Sequence, residues 1–133
     1  MMCSNYGEEN KMELKGRIKS GLGNARIWVE KASKIFEEKY NMKLFLGTLN
    51  VELNDEIILD DEEKILPHEY GGEFDVLVKK CRILGHKAYI LRTEKNNTKN
   101  GDHPLNIIEI VTDINMRKTY NLKDEDEIII CLK

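Results

Sequence analysis

The sequence predicts a mainly β domain, a small barrel or closely wrapped sheet with one main helix and short helical turns, and three observations predict it. Apolar residues recur at helical spacing in one stretch, at Ala32, Ile35, Phe36 and Tyr40, with Glu30, Lys31, Lys34, Glu37, Glu38 and Lys39 on the other face. Six or so short stretches follow strand patterns instead, separated by clusters of Gly, Asn and Asp. A length of 133 residues holds one core and not two.

Taken in order, residues 1–12 carry little periodicity and read as a flexible tail, leaving a single domain over residues 13–133. Over residues 14–20, Leu14, Gly16, Ile18 and Ser20 alternate with Lys15, Arg17 and Lys19, the pattern of a half-buried strand. A loop of small residues follows, then Ile27, Trp28 and Val29, then the helix. Val51 and Leu53 alternate with Asn50 and Glu52, and Ile57, Ile58 and Leu59 continue the run of short strands. The acidic run Asp60, Asp61, Glu62 and Glu63 reads as a solvated turn. Further strands are expected over residues 74–84, 88–92, 107–111 and 128–132, with a polar, Asn-rich loop over 94–106. Asp113 is expected to cap a short helical turn containing Ile114, Met116 and Arg117, by accepting from unpaired backbone N–H groups.

Composition removes several classes of function. Lys plus Arg number 21 against 24 Asp plus Glu, a net charge of -3, and aromatic residues make up 7%, which together argue against nucleic acid as partner. No apolar run approaches the roughly 18 residues of a membrane helix, and the first residues are not a basic segment leading into an apolar one. The three cysteines show no CxxC pairing and suggest neither a disulfide framework nor a zinc site, so a reducing cytoplasm fits best. Cys81 and Cys131 read as buried small hydrophobes, and His68, His86 and His103 are scattered without metal-ligand spacing.

Three constellations carry candidate chemistry. Gly21, Leu22, Gly23, Asn24 and Ala25 form a loop whose glycines let backbone N–H groups approach an anion, flanked by Lys19 and Arg26. On local sequence a plain tight connection is the commoner reading. In Gly47, Thr48, Leu49 and Asn50, a hydroxyl and an amide carbonyl two residues apart in extended chain project to one side, where one hard divalent cation reaches both. A turn glycine before ordinary strand residues is the commoner alternative. Glu109 lies among Ile107, Ile108, Ile110 and Val111; it either faces solvent across a half-buried sheet or points into a pocket, where it accepts the proton of a substrate hydroxyl. The stretch over residues 121–128 reads as a turn feeding the last strand, without a catalytic role.

The order of these motifs is more informative than any one of them. Residues 16–23, reading Gly-Arg-Ile-Lys-Ser-Gly-Leu-Gly, then Gly47-Thr48-Leu49-Asn50, Ile107-Ile108-Glu109-Ile110-Val111, Arg117 and Leu122-Lys123-Asp124 resemble the archaeal-type CTP-dependent riboflavin kinases. The resemblance implies a six-stranded barrel that transfers the terminal phosphate of CTP to riboflavin with Mg2+, giving FMN and CDP. It implies that Gly21, Leu22, Gly23, Asn24, Ala25 and Arg26 line the nucleotide, helped by Ile114, Asn115, Met116 and Arg117. It further implies that Thr48 and Asn50 hold magnesium and that Glu109 contacts the ribityl chain, with Thr98, or alternatively Thr93, on the flavin phosphate. The turn that usually reads Asp-Gly-Asp is here Asp124-Glu125-Asp126, where a glutamate disfavours positive φ. A cytoplasmic monomer without nucleic-acid or membrane partners is expected. The rival reading is a barrel that binds a flavin or nucleotide as a sensor or interaction module, and Thr48, Asn50 and Glu109 together favour the enzyme.

Overall fold

The computed structural model describes residues 12–20, 25–60, 63–98 and 104–132. The element order is β1 (Met12–Lys19), α1 (Ala25–Tyr40), β2 (Leu49–Leu53), β3 (Lys64–Ile65), α2 (Pro67–Tyr70), β4 (Val76–Ile83), β5 (His86–Thr93), a 3-10 turn (Lys95–Asn97), β6 (Ile107–Val111), α3 (Met116–Thr119) and β7 (Glu127–Leu132). Neighbouring strands run β4-β5-β6-β2-β1-β7, all antiparallel, and β7 pairs back onto β4 at Cys81 to Ile83. That last pairing closes a six-stranded barrel, as expected. β3 adds two residues to the β4 edge that β7 leaves open.

Alternation sorts the two faces. Ile18, Val51, Leu53, Ile83, Ile90, Ile108, Ile110 and Ile130 fill the barrel interior, each such side chain contributing roughly 1.5–3 kcal/mol by leaving water. On the outer face α1 lays Val29 and Phe36 over Val78, Tyr89, Leu91 and Val111. Phe36 meets the edge of the Tyr89 ring at 5.0 Å and 82°, which fixes the helix laterally. Asn41, at φ 53°, ends α1 in the left-handed conformation, its N–H donating to the Glu37 carbonyl at 2.9 Å.

Gly16 sits where β2 leaves no room for a side chain on β1. A Cβ there would lie 2.5 Å from the Glu52 carbonyl oxygen and 2.8 Å from Val51 Cγ1, so one strand would have to move. Gly16→Ala is expected to cost about 2 kcal/mol and lower Tm by roughly 5–10 °C, read by thermal denaturation.

Some local expectations shift. β1 begins at Met12, and α1 takes in residues 25–29. Residues 57–59 form no strand: Ile57 N–H donates to the Leu105 carbonyl and Leu59 N–H to Asn97 Oδ1, so loop partners satisfy them. β3 and α2 were not expected. The cap of α3 is Asn115, which accepts from Lys118 N–H at 3.1 Å, and not Asp113. Asp113 instead meets His86 at 2.7 Å. Cys81 is free and buried, its thiol pushed up to about 12 by desolvation, whereas Cys131 is half-buried and disulfide-bonded, against expectation. Among the described residues no helix is long and apolar enough to cross a membrane. The expected tail, up to residue 11, and two members of the acidic run, Asp61 and Glu62, lie outside the described residues.

Candidate active site

Strand register places three polar side chains in one row. Lys19 on β1 faces Asn50 on β2, and Asn50 faces Glu109 on β6. The row continues through Leu91 on β5 to Val78 on β4, both buried beneath α1. Direct cross-strand partners share a face, so Lys19, Asn50 and Glu109 stand on the outer wall of the barrel, beside the helix-covered part. All three are half-buried.

Asn50 is the anomaly of this row. Its Oδ1 is the one buried side-chain nitrogen or oxygen among the described residues without a hydrogen-bond partner. An orphaned buried acceptor costs about 1–3 kcal/mol and calls for an explanation. Thr48, two residues earlier, lines a cavity of about 210 Å³ together with Phe45, Gly47, Thr112, Ile114, Asn115, Met116 and Arg117. Thr48, of the pair expected to hold the metal, thus shares one cavity with Ile114, Asn115, Met116 and Arg117, expected to help bind the nucleotide, whereas Asn50 and Glu109 are not among its lining residues. The oxygen donors fit magnesium, which binds through one or two protein oxygens and completes its shell with water and substrate phosphates. No group of three or more His, Cys, Asp or Glu among the described residues offers an alternative metal centre.

Arg117 is tightly fastened. Its Nη2 donates to the Lys19 carbonyl and to Ser20 Oγ, both at 3.0 Å, and to Asp124 Oδ1 at 2.7 Å. Ser20 Oγ itself donates to the same Asp124 oxygen at 2.5 Å. The Ser20 hydroxyl first, and the Arg117 guanidinium second, hold the Asp124 carboxyl below the usual carboxylate range. A carboxyl depressed in the fold contributes at pH above its ordinary value and loses that contribution as pH falls through the depressed one. The fastening is therefore intact at neutral pH and released only in acid.

Glu125 takes the position where glycine is usual and adopts φ 72° regardless. The expectation that a glutamate avoids positive φ fails because the turn is held from several sides. Glu125 N–H donates to the Ile18 carbonyl at 2.8 Å, and its carboxylate meets Lys19 Nζ at 2.6 Å. That bond raises the Lys19 ammonium above the ordinary lysine value.

The remaining site residues are less gathered. Gly21, Leu22, Gly23 and Asn24 lie outside the described residues; Ala25 and Arg26 open α1, and their side chains lie outside what is described. Thr98 closes the 3-10 turn after β5, exposed, its hydroxyl donating to the Lys95 carbonyl at 3.1 Å. Thr93 ends β5, its Oγ1 accepting from Asn96 N–H. Neither Thr93 nor Thr98 lines the cavity, whose Thr112 and Ile114 follow the exit of β6.

Sequence reasoning missed the Ser20, Arg117 and Asp124 junction and the Lys19 to Glu125 pair. It also missed Arg92, buried at the end of β5, whose guanidinium donates to the Ile57, Leu105 and Ile107 carbonyls and to Asn97 Oδ1. Arg92 ties the segment after β2, the 3-10 turn and the stretch entering β6 to the end of β5, and its bond to the Ile107 carbonyl anchors the start of the strand carrying Glu109. The single arginine closing the apolar run of β5 was the available signal.

The model of a family named for CTP-dependent riboflavin kinase, described as domain of unknown function DUF120, matches residues 18–132. The chain is similar to a riboflavin kinase of Staphylothermus marinus, at 35% identity over 90% of this chain and 92% of the relative. It is 28% identical to a riboflavin kinase of Methanocella arvoryzae over 98% of this chain and 62% of the relative. It is 30% identical to one of Archaeoglobus fulgidus over 91% of this chain and 54% of the relative. The chain therefore spans nearly all of the first relative and little more than half of the other two.

Proposed function

The chain belongs to the CTP-dependent riboflavin kinase family, and from that premise we propose that it phosphorylates riboflavin to FMN with CTP, at the outer-wall row of Asn50 and Glu109 and the adjoining Thr48 cavity. The observation that carries the reading is the orphaned Asn50 Oδ1 standing in register with Glu109. An acceptor kept dry and unpaired beside a carboxylate suits a metal-bound triphosphate meeting a hydroxyl, and suits no packing role.

Thr48 Oγ1 and Asn50 Oδ1 would hold Mg2+. When bound, magnesium supplies charge neutralisation on the phosphate oxygens. The rest falls to the chain itself. Arg117, at the cavity wall, faces the nucleotide phosphates with a charge that Asp124 already holds in place. Glu109 orients the ribityl hydroxyl and receives its proton as the new oxygen–phosphorus bond forms. The bond between the terminal phosphorus and the bridging oxygen breaks, and CDP leaves with the electron pair. Phosphoryl transfer asks mainly for positioning and charge neutralisation, so this set suffices without a Walker lysine.

The reading is tested by incubating the protein with riboflavin, CTP and magnesium and following FMN by chromatography, with a chelator in a parallel arm. FMN that disappears on chelation is expected. Ligand binding with no product would indicate a sensor.

A further inference from the structure

The turn before β7 has no assigned role, yet it makes several polar contacts with the end of β1 and Ser20, at the entry to the glycine loop. Ile18 N–H donates to the Asp126 carbonyl and Glu125 N–H to the Ile18 carbonyl, so the turn is hydrogen-bonded onto the last residues of β1. Lys123 N–H donates to Asp126 Oδ2 at 2.8 Å, closing the turn on itself. Within this frame Asp124 takes both Ser20 Oγ and Arg117 Nη2, joining β1, α3 and the turn through one carboxylate oxygen.

From this junction we infer that Asp124 is a positioning residue for CTP, acting through Arg117. A free arginine side chain samples many rotamers and binds phosphate at an entropic cost; one held by a fixed carboxylate has lost that freedom in advance. Glu125 serves the same end. Its left-handed backbone is a conformation that proteins maintain where surrounding contacts over-determine it, commonly near functional sites, and it presents Asp124 toward Ser20 while its own carboxylate holds Lys19. The inference rests on reading the Thr48 cavity as the CTP site.

The test is a double-mutant cycle over Asp124→Asn and Arg117→Lys, read as CTP affinity by calorimetry and as KM for each substrate. Asp124→Asn is expected to weaken CTP about tenfold with the riboflavin KM unmoved, and to cost less than about twofold in the Arg117→Lys background. An equal cost in both backgrounds, or a parallel rise in both KM values, overturns the inference. Ser20→Ala carries the same test should Asp124→Asn not fold, since Ser20 Oγ is shared by both partners. Calorimetry without riboflavin separates this inference from the kinase reading. CTP binding weakened by Asp124→Asn, with no FMN formed by the unmodified chain, upholds the first and overturns the second. A chain that does not bind CTP overturns both.

Discussion

Asn50→Leu is expected to abolish magnesium-dependent CTP binding while making the protein more stable. The side chain is replaced by one of similar size without polar atoms, so the orphaned Oδ1 and its cost of about 1–3 kcal/mol disappear. A Tm rise of a few degrees, roughly 3–8 °C, follows for a chain of this size. Loss of a metal-binding oxygen pulls the other way on function, by at least about 100-fold in kcat/KM for the magnesium complex of CTP. Nucleotide titrations with magnesium and with chelator, beside a thermal scan, check both halves. A merely structural Asn50 would lose stability and activity together, so opposite signs are diagnostic.

Glu109→Gln is expected to lower kcat by about 100- to 10,000-fold, the range that removing a general base produces. The amide keeps the shape and hydrogen-bonding reach of the carboxylate, so KM for riboflavin and for CTP should change little. The backbone pairing of Glu109 with Asn50 and Leu91 is retained in the variant. Full turnover in the variant would remove Glu109 from the chemistry, and a large rise in riboflavin KM at unchanged kcat would make it a binding group only.

Much of this was legible in the sequence because the relevant signals are local. Alternation in β1 and β2, with further strand stretches bounded by Gly, Asn and Asp clusters, marked the barrel, and the spacing of Ala32, Ile35, Phe36 and Tyr40 marked α1. Strand periodicity offered Thr48 and Asn50 only as a candidate pair, and β2 itself begins at Leu49. What local pattern could not reveal is register. That Lys19, Asn50 and Glu109 form one row depends on how three strands distant in sequence align. The cap of α3 shows the same limit on a smaller scale. Asp113 and Asn115 are equally good caps by type, and the choice is made by His86, which arrives from β5 to take Asp113.

Two further misreadings have physical causes. The run Ile57, Ile58 and Leu59 looks like a strand, but its backbone partners are a loop carbonyl and the Asn97 side chain rather than a neighbouring strand. Glu125 was expected to resist positive φ, and a single-residue preference of about 1–2 kcal/mol is outweighed when several hydrogen bonds fix the same turn. Both cases concern contacts between segments, where the site is assembled: Arg92, Asp124 and Lys19 each act on a segment other than their own.

The central claim, that this barrel moves a phosphoryl group from CTP to riboflavin, is tested most directly by side-by-side incubations with riboflavin, magnesium and each of CTP, ATP, GTP and UTP, quantifying FMN and nucleoside diphosphate together. FMN and CDP in equal amounts with CTP, and neither above background with the other three, is the expected result. CTP hydrolysed without FMN, or FMN formed equally well from ATP, would contradict it.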